Sequence, residues 1–236
     1  MCDSNTQRGF TLTEILVSFL ITAIASTGII SFFVGSMKSN TVSLNSVHLH
    51  QELRTLLDVM SRDIRRAGYW RNADGISKNM YMSEDNVLKI VENNCITYSY
   101  DDYKDSKSQA NIVQHTDTAG FRLKNYTLKT RKKSSPCSSN RNWESISDRN
   151  FLKVTKLDFQ LEQVCVNNNS PKHRKLQQAD CKATKVKHSN MMSNPSDTFS
   201  VMYVVTITLS GELVANPEIS VSNITETVAV RNIITS

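Results

Sequence analysis

The chain has 236 residues, of which 39% are hydrophobic, and a mean hydropathy of −0.35. This average excludes a protein with many membrane spans and a chain that is disordered throughout. The formal net charge of +6 is only mildly basic and falls short of a dedicated nucleic-acid-binding protein.

The N-terminal segment is far more apolar than this average. Glu14 is the only charged residue between Arg8 and Lys38, and the run from Ile15 to Ser36 carries no charge. A helix rises about 1.5 Å per residue, so the run is long enough for a bilayer core of about 30 Å. A secretory signal peptide fits poorly, because its apolar region is usually about 7–15 residues long. The sequence therefore predicts a single membrane-spanning helix.

Glu14 is unexpected at the start of such a helix. A carboxylate in a membrane-length helix costs a few kcal/mol unless it is paired. It could lie at headgroup depth, near the positive end of the helix dipole, and have no further role. Alternatively, it could have a specific cationic partner. The helix alone leaves both interpretations open.

The residues around Glu14 favour the second interpretation. The stretch Arg8-Gly9-Phe10-Thr11-Leu12-Thr13-Glu14 resembles the processing site of type IV prepilins and type II secretion pseudopilins. In that superfamily a short polar leader ends in Gly, and Phe, Glu and an apolar run follow; Thr13 departs from the aliphatic residue that is more common there. The resemblance implies that a prepilin peptidase/methyltransferase cleaves between Gly9 and Phe10 and methylates the new amine of Phe10. It also implies that Glu14 pairs with the Phe10 amine of a neighbouring subunit in a filament.

The helical pattern continues beyond the apolar run. A stripe with helical period predicts a face that packs on an apolar surface: Leu49, Leu53, Leu56, Leu57, Met60, Ile64 and Ala67. No proline interrupts the segment from Phe10 to Ala67, and Gly68 is a natural stop. His48 and His50 are two residues apart, so we interpret them as surface residues and not as a metal pair.

After Tyr69 the pattern changes to short alternating runs separated by polar loops. The clearest predicted strands are Ile96–Tyr100, Leu157–Leu161 and Val201–Leu209, with shorter candidates at Val87–Val91, Phe121–Leu123 and Thr227–Ile233. We expect an antiparallel sheet against the apolar stripe, which is an α+β fold of the type IV pilin kind. No catalytic, metal-binding or cofactor-binding motif is recognisable, so we expect neither an enzyme nor a cofactor.

Three further stretches are similar to PilW-type minor pilins: Met60–Trp70, Cys95–Tyr100 and Val230-Arg231-Asn232. The resemblance implies a cleaved leader (1–9), a transmembrane or filament-core helix (10–36), an amphipathic helix (37–68) and a β-rich periplasmic head (69–236). It implies a single-pass inner-membrane protein that enters a pilus at the cell surface, helps to initiate pilus assembly and caps the tip. The implied partners are the peptidase, other minor pilins, the major pilin and the inner-membrane assembly platform. A J-type pseudopilin of type II secretion shares this layout, and a DNA- or surface-binding tip pilin is a further alternative.

The five cysteines are an odd number, and the implied cleavage removes Cys2 with the leader. The remaining four would face the periplasm, which permits disulfides, and three connectivities are possible. We favour Cys165–Cys181, which closes a short loop, and Cys95–Cys137 would follow.

The loop between Cys165 and Cys181 and the residues after it are basic. A solvated loop is the simplest interpretation, and contact with an acidic subunit or with DNA is the alternative. Few aromatic residues are interleaved with the basic ones, which weakens the case for nucleic acid. The candidate contact residues are Lys172, Arg174, Lys175, Lys182, Lys185 and Lys187.

Overall fold

A computed structural model describes most of the chain. The described residues are 9–70, 81, 88–101, 117–167, 175–176, 199–230 and 234–235, with backbone alone at 165–167, 175–176, 199–201 and 234–235. The chain divides into two units, Met1–Val47 and His48–Ser236.

One long helix, α1 (Leu12–Ile64), forms the N-terminal part of the described chain. Within the second unit the predicted apolar stripe is confirmed: Leu49, Leu53, Leu56, Leu57, Met60 and Ile64 are all buried. The helix ends earlier than Ala67, and residues 65–68 form turns. Gly68 has a φ of 72°, which a residue with a side chain rarely adopts, and its N–H donates to the carbonyl of Ser99 at 2.8 Å. Gly68 is therefore the helix stop that the sequence predicted.

The first sheet is an antiparallel meander in the order β1-β2-β3-β4-β5. Tyr98 on β2, Phe121 on β3 and Leu128 on β4 point into the core and are buried. Asn125 and Tyr126 both have positive φ and form the two-residue turn between β3 and β4, which matches the twist of a hairpin. The strands are β1 (Lys89–Val91), β2 (Cys95–Ser99), β3 (Thr118–Lys124), β4 (Thr127–Arg131) and β5 (Trp143–Ser145). The sequence predicted the first three and missed β4 and β5.

A second antiparallel sheet is built on the long pairing of β6 with β8. Its order is β10-β8-β6-β7, and β9 also pairs with β8. The strands are β6 (Leu152–Asn167), β7 (Lys175–Leu176), β8 (Phe199–Leu213), β9 (Ser220–Ala229) and β10 (Ile234–Thr235). The sequence predicted one sheet, whereas the described residues form two. Short turns join β1 to β2 and β3 to β4 in the first sheet. The second sheet depends on the pairing of β6 with β8, which are distant in the chain, and alternation along one strand does not reveal that pairing.

A β-bulge near the start of β6 sets which side chains reach the core. Val154 pairs with Gly211 and Lys156 pairs with Ser210, so Thr155 is an extra residue. Leu152 and Val154 before the bulge, and Leu157 and Phe159 after it, are all buried despite their change of parity. One hydrophobic cluster unites these residues with the apolar stripe of α1 and the inner face of the first sheet.

Candidate processing and assembly site

The start of α1 is closed by a reciprocal set of hydrogen bonds between Thr11 and Glu14. The backbone N–H and the hydroxyl of Thr11 each donate to Oε2 of Glu14 at 2.9 Å. The backbone N–H of Glu14 points back to the Thr11 hydroxyl at 3.4 Å. This is a capping box, in which a Thr at the N-cap and a Glu three residues later satisfy N–H groups that have no partner within the helix. Glu14 therefore has a structural role within its own chain.

Gly9 and Phe10 lie immediately before this cap and are exposed, Phe10 at 84%. Among the described residues, a Cβ placed on Gly9 would meet no atom within 4 Å, and the φ of Gly9 is not in the left-handed region. The fold of the chain thus does not require glycine at this position. A requirement for Gly9 would have to come from a protein that binds this segment.

The first part of α1 is suited to an apolar surrounding. Among the described residues it is the one helix that is long and apolar enough to cross a membrane, and none of its most apolar stretch is buried within the chain. Several of its hydroxyl groups are satisfied internally, because Thr22, Ser26 and Ser31 each donate to the backbone carbonyl four residues earlier, at 2.7–2.9 Å. Such internal bonds spare a polar side chain the cost of being unpaired in lipid or in a filament core.

At the other end of α1, Asp63 joins the helix to the first sheet. Tyr98 donates its hydroxyl to Oδ2 of Asp63 at 2.7 Å, and Tyr100 donates to Oδ1 at 3.0 Å. Arg66 forms an ion pair with Asp63 at 3.6 Å and lies over the ring of Tyr100. Burial of Tyr98, together with the negative charge of Asp63, raises the pKa of this tyrosine well above its usual value.

This cluster connects two of the stretches that resemble PilW-type minor pilins. Asp63 belongs to Met60–Trp70, and the two tyrosines belong to Cys95–Tyr100. The contacts give those stretches a shared role, which is to fix the end of α1 to β2.

Comparison with known proteins identifies the family. Residues 42–230, most of the chain, match the family model described as prepilin peptidase-dependent protein B. The chain belongs to this family. Residues 4–30 also match the prokaryotic N-terminal methylation motif.

A similar protein in Escherichia coli (strain K12), named prepilin peptidase-dependent protein B, is 23% identical over 166 residues. The match covers 70% of this chain and 82% of that protein. No solved structure matches the chain. These findings confirm the resemblance to type IV pilin-like minor pilins, and the described helix and antiparallel sheets confirm the pilin-like α+β fold. They also fit a single-pass membrane-anchored member of the prepilin peptidase-dependent protein B family.

The cysteines and the basic loop are described only in part. A disulfide joins Cys95 to Cys137, which is one of the two pairs that we expected from the sequence. The proposed pair Cys165–Cys181 cannot be followed, because Cys181 lies outside the described residues and Cys165 is described by its backbone alone. Of the basic contact residues, only Lys175 is described, by its backbone in β7. The others lie outside the described residues: Lys172, Arg174, Lys182, Lys185 and Lys187.

Two features of this protein were not predicted from the sequence. The capping box was present as the pattern Thr11-x-x-Glu14, which marks a helix start in any protein. Asp63 gave no such signal, because a carboxylate among the exposed charges of an amphipathic helix looks like a solvated residue until its partners on β2 are known.

Proposed function

We propose that this chain is a minor pilin of a type IV pilus, processed by prepilin peptidase, that helps to initiate pilus assembly and caps the tip. Cleavage would fall between Gly9 and Phe10, and the freed amine of Phe10 would be methylated. The observation that supports this is the exposed Gly9–Phe10 bond directly before the capped, unburied apolar part of α1. The family membership of residues 42–230 gives independent support.

The proposed assembly chemistry uses the carboxylate that now caps α1. In a filament, Glu14 would pair with the Phe10 amine of a neighbouring subunit. A lone charge in a low-dielectric core is expensive, whereas a matched and hydrogen-bonded pair is tolerated. The pair would therefore set the register between subunits in addition to attracting them.

Three substitutions separate this charge from the cap. Glu14→Ala removes both, and we expect cleavage to persist while incorporation into pili is impaired. Glu14→Gln keeps an acceptor for the Thr11 N–H, since Gln also serves in a capping box, but removes the charge. Thr11→Ala weakens the cap and leaves the charge. Immunoblots of sheared pili should show a loss for both Glu14 variants and near-normal incorporation for Thr11→Ala.

Normal incorporation of Glu14→Gln would refute the charge pair. Cleavage is followed separately by the mass of the membrane-bound protein and the identity of its first residue. A bulky substitution at Gly9, such as Gly9→Leu, should block processing without affecting the fold, because no described residue lies within 4 Å of a Cβ at that position.

We further propose that residues 1–9 form the leader, 10–36 the transmembrane or filament-core helix, 37–68 the amphipathic helix and 69–236 a periplasmic head. Partners would be other minor pilins, the major pilin and the inner-membrane assembly platform. Gene deletion distinguishes this role from that of a J-type pseudopilin. Loss of surface pili with protein secretion intact supports the minor pilin, whereas a secretion block with normal pili contradicts it.

A further inference from the structure

The connection between β4 and β5 contains a short segment, Ser135–Arg141, which we call the flap. It lies against the face of the first sheet that is opposite to Phe121 and Leu128 and therefore turned away from the core. Strand register places Arg122 on this face beside Cys95, and Arg131 beside Trp143.

The flap is held on this face mainly through its own backbone carbonyls. Arg122 donates to the carbonyls of Cys137 and Ser139. Arg131 donates to the carbonyl of Ser135 at 3.1 Å, and the indole N–H of Trp143 lies 3.3 Å from the carbonyl of Pro136. Apart from the backbone that leads into β4 and β5, the disulfide between Cys137 and Cys95 is the covalent link between the flap and the sheet among the described residues.

The closed arrangement buries positive charge at a cost. Arg122 is only 2% exposed, and within the described chain its hydrogen-bond acceptors are neutral carbonyls and not carboxylates. The Nε atoms of Arg122 and Arg131 are both buried without a hydrogen-bond partner in the part of the chain that the structure describes, and burial lowers the pKa of both side chains. Stacking of the Arg122 guanidinium on Trp143, at 4.3 Å from the ring centre, offsets part of this cost. A buried charge without an opposite charge is disfavoured, so these contacts alone favour the closed flap less than their number suggests.

The flap lies outside the hydrophobic cluster. Neither the flap residues nor Trp143 belong to the cluster that unites α1 with the two sheets. We therefore expect the outer face to open without disturbing the packing that holds the head together.

We propose that the Cys95–Cys137 disulfide is a redox latch: in the oxidised head it closes the flap over Trp143 and Arg122, and in the reduced head the flap is open while both sheets stay folded. Closure is an oxidation of two thiols. The two sulfurs form the S–S bond, and two electrons and two protons pass to a disulfide-containing oxidant, which becomes a dithiol. A head that has just been exported with free thiols would thus present an aromatic and cationic surface, which oxidation then covers.

Trp143 reports on the flap because its indole N–H contacts the carbonyl of Pro136. The chain has two tryptophans, so one substitution isolates the signal of Trp143. The full-length protein is purified in detergent micelles with Trp70→Phe, so that Trp143 is the single indole. Acrylamide quenching is compared between the oxidised protein, the protein treated with dithiothreitol and a Cys95→Ser/Cys137→Ser variant. Cys165→Ser/Cys181→Ser is the matched control, since it removes the same number of thiols elsewhere.

We expect a several-fold rise in the quenching constant of Trp143 on reduction and in Cys95→Ser/Cys137→Ser, and little change in the control variant. The thermal transition measured by circular dichroism should remain cooperative, and the amides of β6 and β8 should keep their protection from hydrogen exchange. An unchanged quenching constant would show that Arg122 and Arg131 hold the flap without the latch. Loss of the cooperative transition on reduction would show that the disulfide supports the whole head, and it would overturn the proposal equally. Reduction of the protein that has already folded keeps the test valid if the serine variant fails to fold.

Discussion

Replacement of Asp63 by Ala tests whether the cluster at the end of α1 holds the head together. The substitution removes the acceptor of both the Tyr98 and the Tyr100 hydroxyl. Tyr98 is 1% exposed, so its hydroxyl has no access to water as a substitute partner. The helix itself tolerates the change, because Ala is the best helix former.

The expected loss in the free energy of unfolding follows from these contacts. A hydrogen bond to a charged group contributes about 1.5–3 kcal/mol, and a buried donor left without a partner costs about 1–3 kcal/mol. Tyr98 should account for most of the loss, because the Asp63 side chain remains 24% exposed and the ion pair with Arg66 is partly screened. We therefore expect Asp63→Ala to lower the free energy of unfolding of the head by about 2–4 kcal/mol.

Asp58 provides a matched control on the same helix. It also pairs with an arginine, Arg62, at 3.1 Å, but both side chains are exposed. An exposed pair four residues apart contributes only about 0.3–0.5 kcal/mol. Urea unfolding of the full chain in micelles, followed by circular dichroism, should separate Asp63→Ala clearly from Asp58→Ala.

Equal effects of Asp63→Ala and Asp58→Ala would refute this reasoning. A double-mutant cycle with Tyr98→Phe adds a second check. Removing donor and acceptor together leaves no orphaned hydroxyl at position 98, so the double variant should lose less stability than the sum of the two single variants. Strict additivity would mean that the hydrogen bond between these residues contributes nothing.

Two further predictions concern residues of the first and second sheets. Because the pKa of Tyr98 is raised in the folded protein, its contribution to stability is fully present below the unfolded pKa of about 10 and is lost as the pH rises through the folded value. Tyr98→Phe should therefore flatten the fall in the free energy of unfolding above about pH 10. A series of urea titrations at increasing pH measures this slope, and an unchanged alkaline slope would contradict the prediction. A Cβ on Gly120 would lie 2.4 Å from the backbone oxygen of Ile96, whereas one on Gly211 would meet the flexible end of Leu152 at 2.7 Å. Gly120→Ala should therefore cost about 3 kcal/mol or more and Gly211→Ala about 1–3 kcal/mol, with the melting temperatures in the same order; the reverse order would contradict the close approach of β2 to β3.

Much of the chain was predictable because the signals are local. The absence of charge from Ile15 to Ser36 marks the apolar helix, and the stripe that begins at Leu49 marks its packed face. Gly68 marks the helix end because its φ is one that other residues avoid. The alternation from Tyr203 to Leu209 likewise identified the buried face of β8, where these alternate residues are inaccessible to solvent.

The limits of prediction are just as specific. Strand β4 carries Lys129 and Arg131, and β5 is only three residues long (Trp143–Ser145), so neither shows the alternating apolar pattern that predicts a strand. The bulge at Thr155 reverses the parity of β6, and only the pairing with β8 shows that Leu152 and Phe159 share one face. Asp63 and Arg122 were hidden for the same reason, since their partners are distant in sequence.

The sequence by itself determined the prepilin-like N-terminus, the long helix and its apolar stripe, because each depends on residues a few positions apart. Only the tertiary structure decided that the head has two sheets, that Asp63 binds two tyrosines, and that a disulfide and a buried arginine hold the flap. These features depend on the free energy of burying particular polar groups against distant partners. Such a free energy is set by the neighbours that folding brings together, and spacing along the chain does not reveal it.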